Sequence, residues 1–178
     1  MSEDPLIDYI NKKSKNCELA LTDRSYRVKY QKDTREENKG KPNVIRSNDP
    51  IPINFELGTL GDAVLRLILT NILYHDDKIV EITEERKKYE SDEVLVTVIA
   101  AHYDIRKHLR YDDKDENKGH GYDYEEHKGK GDHPKKFLAT AMEALLGAYF
   151  LDNNESLKKV EPVVRRWMEI IDDNQRNS

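Results

Sequence analysis

The amino-acid sequence predicts an all-α protein with six or seven helices. Two long apolar stretches, residues 54–71 (NFELGTLGDAVLRLILTN) and 137–151 (FLATAMEALLGAYFL), exceed the usual length of a strand, which rarely passes about ten residues. Other segments repeat apolar residues at helical spacing, and no segment reads convincingly as a strand. The chain has 178 residues, enough for one domain with a sizeable core.

The first half of the chain gives two short helices and one long one. Pro5 suits the first turn of an opening helix, and residues 17–26 are typical of a second short helix. Asn54 is expected to cap the central helix, which should end near Tyr74. The β-branched residues of this stretch would permit a strand, but its length favours a helix.

The second half supplies the remaining helices. Residues 83–90 predict a charged helix, and Ser91 is expected to cap another over 92–108. After the apolar helix at 137–151, an amphipathic helix is predicted over 155–171.

The composition predicts how the polar sequence is distributed. Apolar residues make up only 37% of the chain, so the core must be concentrated in a few segments. We predict one domain over residues 1–178, with a long polar loop at 29–53 and a flexible charged insertion at 112–134. The insertion contains three histidines without a recognisable spacing for metal ligands.

Charge and cysteine content restrict the partners and the compartment. The net charge of −5 argues against indiscriminate nucleic-acid binding, although acidic nucleases carry part of their negative charge in the site itself. The single cysteine, Cys17, excludes an internal disulfide and suits a reducing compartment. The sequence shows no basic and apolar leader and no run of about 18 apolar residues. We therefore expect a cytoplasmic protein without membrane association.

Each of the two apolar helices contains one acid, Asp62 and Glu143. Removing a carboxylate from water costs several kcal/mol, so a buried acid needs a partner. One interpretation is that the helices pack together and the two acids share a divalent metal. In the alternative, each acid pairs with Arg or Lys, or faces water from a polar stripe of its helix.

Three stretches carry a family resemblance. They are LALTDRSY at 19–26, NFELGTLGDAVL at 54–65 and LATAMEALLGAYFLD at 138–152. In this order they resemble the LTHRSY, NERLEFLGDAVL and LADTFEALIGAIYLD elements of the ribonuclease III endonuclease domain. The resemblance covers roughly residues 5–171. The double-stranded-RNA-binding domain that usually follows is not evident, so the chain is similar to the catalytic-domain-only branch of the family.

The resemblance implies an activity. Family members are homodimers whose sites lie in a valley that accepts double-stranded RNA. Each site holds Mg²⁺ on four carboxylates, and metal ions activate water for phosphodiester hydrolysis. The products carry a 5′-phosphate and a 3′-hydroxyl group.

The family's ligand positions transfer only in part. Asp62 and Glu143 match two of the four acids and are the candidate catalytic residues. Gly58 and Thr140 stand where the other two are expected, so Thr140 offers Mg²⁺ or Mn²⁺ only a hydroxyl group, directly or through water. Glu56 precedes Asp62 by six residues, about 120° away around a helix. It could replace the missing acid only if the helix began late or were distorted near Gly58.

Other positions carry weaker expectations. Arg66 follows Asp62 by one turn and is expected either to contact RNA phosphate or to neutralise Asp62. Lys135 and Lys136 are further RNA-binding candidates. Gly61 either permits close approach of two helices or is a tolerated small residue.

Three functional hypotheses follow. The first is a divalent-metal-dependent endoribonuclease that cleaves double-stranded or structured RNA as a homodimer, with activity weakened by the incomplete site. The second is a catalytically degenerate relative that persists as an RNA-binding or assembly dimer. The third is a helical interaction module that uses only the dimer surface.

Overall fold

The computed structural model describes residues 4–26, 53–75, 81–111 and 136–177, and over these residues the fold is helical without a strand. An isolated parallel bridge joins Thr22 to Arg110. The all-α prediction is therefore confirmed. The helices are α1 (Pro5–Lys12), α2 (Lys15–Ala20), α3 (Phe55–His75), α4 (Ile82–Glu90), α5 (residues 92–102), α6 (Lys136–Asp152) and α7 (Leu157–Arg176).

The core is organised around the pair α3 and α6. Helix α3 buries residues at helical spacing, and α6 is buried on nearly every side. Both helices begin and end within one residue of the predicted bounds. The start of α3 is tied to α2 because the Asn54 side chain donates a hydrogen bond to the Ala20 carbonyl at 3.2 Å. The buried hydrophobic side chains of α3 are Leu57, Val64, Leu65, Ile68, Leu69, Ile72 and Leu73.

Two glycines bring α3 and α6 into backbone contact. A Cβ atom built on Gly61 would lie 2.6 Å from the Glu143 carbonyl carbon and closer still to its oxygen. A Cβ on Gly147 would lie 3.0 Å from the Gly61 amide nitrogen and closer still to the Leu57 carbonyl oxygen. Only residues without a side chain fit at this distance. Of the two interpretations of Gly61, the structure supports close helix approach.

Helix α2 differs from its predicted range of 17–26. The Ser14 hydroxyl group accepts a hydrogen bond from the Cys17 amide at 3.1 Å, so α2 starts earlier, at Lys15. It ends at Ala20 because the backbone that follows pairs with the backbone around Arg110. The Arg110 amide donates a hydrogen bond to the Leu21 carbonyl at 2.8 Å. Side-chain capping and tertiary pairing, rather than apolar spacing, set both ends.

Helix α5 is shorter than the predicted 92–108. It begins after Ser91, whose hydroxyl group accepts from the Val94 amide at 3.4 Å, and it contains a π-helical segment, Leu95–Ile99. It ends before Asp104, which has a positive φ of 49°, and a 3₁₀ turn follows at Ile105–Lys107. The apolar spacing continues through a change of helix type that periodicity does not reveal.

Helix α7 starts later and ends later than the predicted 155–171. Asn154 and Glu155 have φ angles of 58° and 54°, in the left-handed region, so α7 cannot include them and begins at Leu157. It continues to Arg176 through polar residues that apolar spacing could not assign.

Within the described residues, helix α3 is the one that has the length and composition to cross a membrane. Core helices of soluble proteins meet the same criterion, and half of the relevant stretch, Phe55–Tyr74, is buried inside the fold. The observation is weak evidence for a membrane span. All of the predicted loop at 29–53 except its last residue, and the whole predicted insertion at 112–134, lie outside the described residues. Both stay predictions, as does the single-domain boundary.

Candidate functional site

The crossing of α3 and α6 places Asp62 and Glu143 on facing helices. Gly61 lies against the Glu143 backbone, and Asp62 is the next residue of α3. The pKa of Glu143 is raised to about 8, first by burial and then by the negative charges of Asp62 and Asp92. The positive charges of Lys136 and Arg66 offset part of this rise. The surroundings of the Glu143 carboxyl group therefore favour its protonated form.

Gly58 and Thr140 meet beside the same carboxyl group. A Cβ atom built on Gly58 would lie 3.2 Å from the Thr140 methyl carbon Cγ2 and 4.0 Å from Glu143 Oε2. The two positions that lack the family's acids thus converge next to Glu143. The atom of Thr140 that faces Gly58 is its methyl group, which cannot bind a metal.

Arg66 connects Asp62 to a second acid on another helix. Arg66 Nε lies 3.0 Å from Asp62 Oδ1 and 3.7 Å from Glu90 Oε2, at the end of α4. Arg86 Nε lies 3.0 Å from the same Glu90 oxygen, and Arg86 Nη1 donates a hydrogen bond to Thr70 Oγ1 at 3.0 Å. The alternative in which Asp62 pairs with arginine is the arrangement that the structure shows.

Sequence reasoning missed Glu90 and Arg86. The available signal was their spacing, because opposite charges four residues apart lie on the same face of a helix. Such pairs are common on solvent-exposed helices, so the spacing alone does not distinguish this one. What distinguishes it is burial: the Glu90 side chain is only 11% exposed.

Comparison with known proteins identifies the family. The model of the ribonuclease III domain matches residues 56–154, more than half of the chain. This chain belongs to the ribonuclease III domain family. A comparison with curated proteins finds no significant match.

Solved structures show the same fold. The chain is similar to the nuclease domain of ribonuclease III from Campylobacter jejuni, with a TM-score of 0.59 and 20% identity over 98% of this chain and 97% of that one. A second structure of that nuclease domain, described for structural flexibility in a region involved in dimer formation, matches with the same TM-score and identity over 92% and 94%. At this identity the likeness establishes the fold alone.

The ribonuclease III family generally uses a divalent metal, and the donors around Asp62 do not fit one well. Among the residues that the structure describes, no three acids, histidines or cysteines form a group that could hold a metal ion. Asp62 already contacts the guanidinium group of Arg66. A ribonuclease III site with four carboxylates would offer far more negative charge to the ion.

The remaining predicted site residues are Glu56, Lys136 and Lys135. Glu56 is exposed in the first turn of α3, and the helix starts at Phe55, so the late start that would bring Glu56 to the site does not occur. Lys136 is exposed and its Nζ lies 3.5 Å from Asp92 Oδ2. Lys135 lies outside the described residues. RNA contact by Arg66, Lys135 and Lys136 stays a prediction.

Proposed function

We propose that this ribonuclease III domain protein binds double-stranded or structured RNA as a homodimer and that its metal-dependent cleavage activity is strongly reduced. Family membership supports RNA as the ligand. One observation carries the reduced activity: the two positions that lack the family's acids, Gly58 and Thr140, converge beside Glu143 with a methyl group between them. The proposal combines the family's substrate class with this chain's depleted ligand set.

The chemistry explains the size of the expected loss. Phosphodiester hydrolysis in this family depends on metal ions that activate water and stabilise the leaving oxygen. Mg²⁺ can be held by one or two carboxylates because it keeps several waters. Asp62 and Glu143 therefore supply two ligands at most, and Thr140 adds no charge. We propose little or no occupancy by Mg²⁺ or Mn²⁺ and a correspondingly low rate of cleavage.

An exposed apolar face on α3 supports the homodimer. Phe55, Leu67 and Tyr74 have exposed fractions of 60%, 54% and 67%, and Ala63 is also exposed. At about 100° per residue these four positions fall within an arc of roughly 120° on the helix. Thr59, Arg66 and Thr70 lie on the same arc, so we propose a mixed apolar and polar dimer contact centred on the exposed apolar side chains. A Leu67→Glu variant should sediment as a monomer where the wild type sediments as a dimer.

Three proteins test the cleavage proposal: the wild type, a Gly58→Glu/Thr140→Asp variant and an Asp62→Asn/Glu143→Gln variant. The double restoration is preferable to Gly58→Glu alone, because Thr140→Asp removes the methyl group that crowds position 58. Each protein is incubated with labelled double-stranded RNA and Mg²⁺ or Mn²⁺. We expect slow or undetectable cleavage by the wild type and much faster cleavage by Gly58→Glu/Thr140→Asp. The Asp62→Asn/Glu143→Gln variant should not cleave the RNA.

Two results would contradict the proposal. Rapid wild-type cleavage that disappears in Asp62→Asn/Glu143→Gln would show that two acids suffice for full activity. The absence of RNA binding in a gel shift at low salt would exclude RNA as the ligand, because phosphate contacts are strongest there. That second result would favour the helical interaction module.

A cytoplasmic location is also proposed. The single cysteine of the chain, Cys17, is buried on α2. The pKa of its thiol is raised to about 11, mainly by this burial. A buried thiol of high pKa reacts slowly with oxidants and disulfides. A free cysteine of this kind suits a reducing compartment.

A further inference from the structure

The charges around Asp62 balance without a metal ion. Asp62 and Glu90 supply two carboxylates, and Arg66 and Arg86 supply two guanidinium groups within 4 Å of them. A divalent ion entering this group would add positive charge to an arrangement that is already close to neutral.

Arg66 is held by groups on two helices. Its Nε atom faces Asp62 Oδ1 from one turn away on α3 and faces Glu90 Oε2 across the contact with α4. Glu90 also forms an ion pair with Arg86, which donates a hydrogen bond to Thr70 on α3. The carboxylate oxygen that Arg66 contacts at 3.0 Å is one of the two through which a metal ion could bind Asp62.

We propose that the Arg66 guanidinium group is the resident cation of this site and excludes Mg²⁺ and Mn²⁺ from Asp62 and Glu143. It competes for the same carboxylate oxygen and repels a second cation. The inference rests on the proposed function only in taking Asp62 and Glu143 as the place where a metal would bind. Its consequence is specific: removal of the Arg66 charge creates a divalent-cation site in a protein that otherwise lacks one there.

The test is a Mn²⁺ titration followed by electron paramagnetic resonance, with no RNA present. Arg66→Gln should bind Mn²⁺ at least about ten-fold more tightly than the wild type, because a like charge next to the site is removed. Arg66→Lys keeps the charge and should behave as the wild type does. Adding Glu143→Gln to Arg66→Gln should abolish the gain.

Arg165→Gln is the matched control. Arg165 pairs with Glu161 one turn earlier on α7, at 2.8 Å, and its side chain is 50% exposed against 54% for Arg66. Its removal should leave Mn²⁺ binding unchanged, since no second carboxylate faces the pair among the ion pairs of the described residues. An equal gain in this control would show a general charge effect and overturn the proposal.

Two further outcomes decide the proposal. Tight Mn²⁺ binding by the wild type that Glu143→Gln removes would overturn it without any Arg66 variant, so the test does not depend on how that variant folds. Failure of Arg66→Gln to gain affinity, with an unchanged far-ultraviolet circular dichroism spectrum, would overturn it as well. A gel shift in which even the wild type fails to bind RNA contradicts the proposed function and leaves this inference intact.

Discussion

Replacement of Gly61 by alanine should destabilise the fold far more than one added methyl group usually does in a helix. The methyl group would point at the α6 backbone, 2.6 Å from the Glu143 carbonyl carbon and 2.9 Å from the Gly147 amide nitrogen. These are backbone atoms, which cannot rotate aside as a side chain can. The two central helices must therefore move apart.

The size of the effect follows from the separation. Carbon atoms make ordinary contacts at about 3.5–4.0 Å, so the helices must separate by about 1 Å, which forfeits roughly a quarter to a half of the dispersion energy of each contact that opens. If the gap affects as many contacts as one buried leucine makes, the loss is roughly 1–6 kcal/mol. Alanine has a higher helix propensity than glycine, which offsets at most about 1 kcal/mol of this loss. We expect a net loss of about 2 kcal/mol or more in the free energy of unfolding, in the range known for overpacking.

Gly58→Ala is the matched control, on the same helix and one turn away. Its Cβ atom would meet the Thr140 methyl group at 3.2 Å and the Thr140 carbonyl oxygen at 3.5 Å, so a shift of a few tenths of an ångström in one side chain accommodates it. Urea denaturation followed by circular dichroism should place Gly58→Ala within about 1 kcal/mol of the wild type. Equal losses in the two variants, or a loss below about 0.5 kcal/mol for Gly61→Ala, would refute the close-contact argument.

Three more predictions concern charge. Glu143 has a pKa of about 8 in the folded state against 4.5 in the unfolded chain, so the native state holds a proton that the unfolded state has lost, and the free energy of unfolding should fall by up to about 5 kcal/mol as pH rises between these two values. Urea midpoints measured across this pH range should show that Glu143→Gln flattens the dependence. An unchanged slope in the variant would contradict this prediction. Burial raises the pKa of Asp152, but hydrogen bonds that it accepts from Ser14, Tyr9 and Asn16 outweigh burial and lower the pKa overall. The ionised carboxylate therefore stabilises the fold, and this contribution should be lost as pH falls through the folded pKa. Asp152→Asn should remove this contribution to acid unfolding, measured as a shift of the acid-unfolding midpoint. The Gly58→Glu/Thr140→Asp variant adds two acids, whose negative charges repel those already at the site, so its melting temperature in EDTA should be below that of the wild type. Addition of Mg²⁺ should raise the melting temperature of the variant more than that of the wild type. Equal responses to Mg²⁺ would argue against a metal site at these positions.

The sequence predicts the centre of this fold well because the centre is where apolar patterning is strongest. Helices α3 and α6 are long and apolar, so length alone distinguishes them from strands, and their bounds follow to within one residue. The ends of α2, α5 and α7 depend instead on the Thr22–Arg110 bridge and on positive φ angles at Asp104, Asn154 and Glu155. Tertiary pairing and single backbone angles leave little trace in residue periodicity.

The candidate site divides in the same way. Asp62 and Glu143 stand out because an acid in an apolar helix is unusual, and the structure places them on facing helices. Glu90 belongs to a charged helix where one more acid carries no signal, and its position beside Arg66 depends on how α4 packs against α3. Gly147 likewise has no meaning until the partner helix is known, because its role lies in the contact with Leu57 and Gly61.

The glycine contact that holds α3 and α6 together also explains how the fold can outlast its chemistry. Because Gly61 lies against the Glu143 backbone, acids at positions 62 and 143 stay close whatever ligand they serve. The chain relieves their repulsion in two ways, since Glu143 retains a proton to about pH 8 and Asp62 pairs with Arg66. Neither way requires a metal ion, so the core remains stable after the acids at positions 58 and 140 are gone. The ribonuclease III architecture at this crossing therefore does not depend on a bound metal ion, and it can persist with the reduced set of acids.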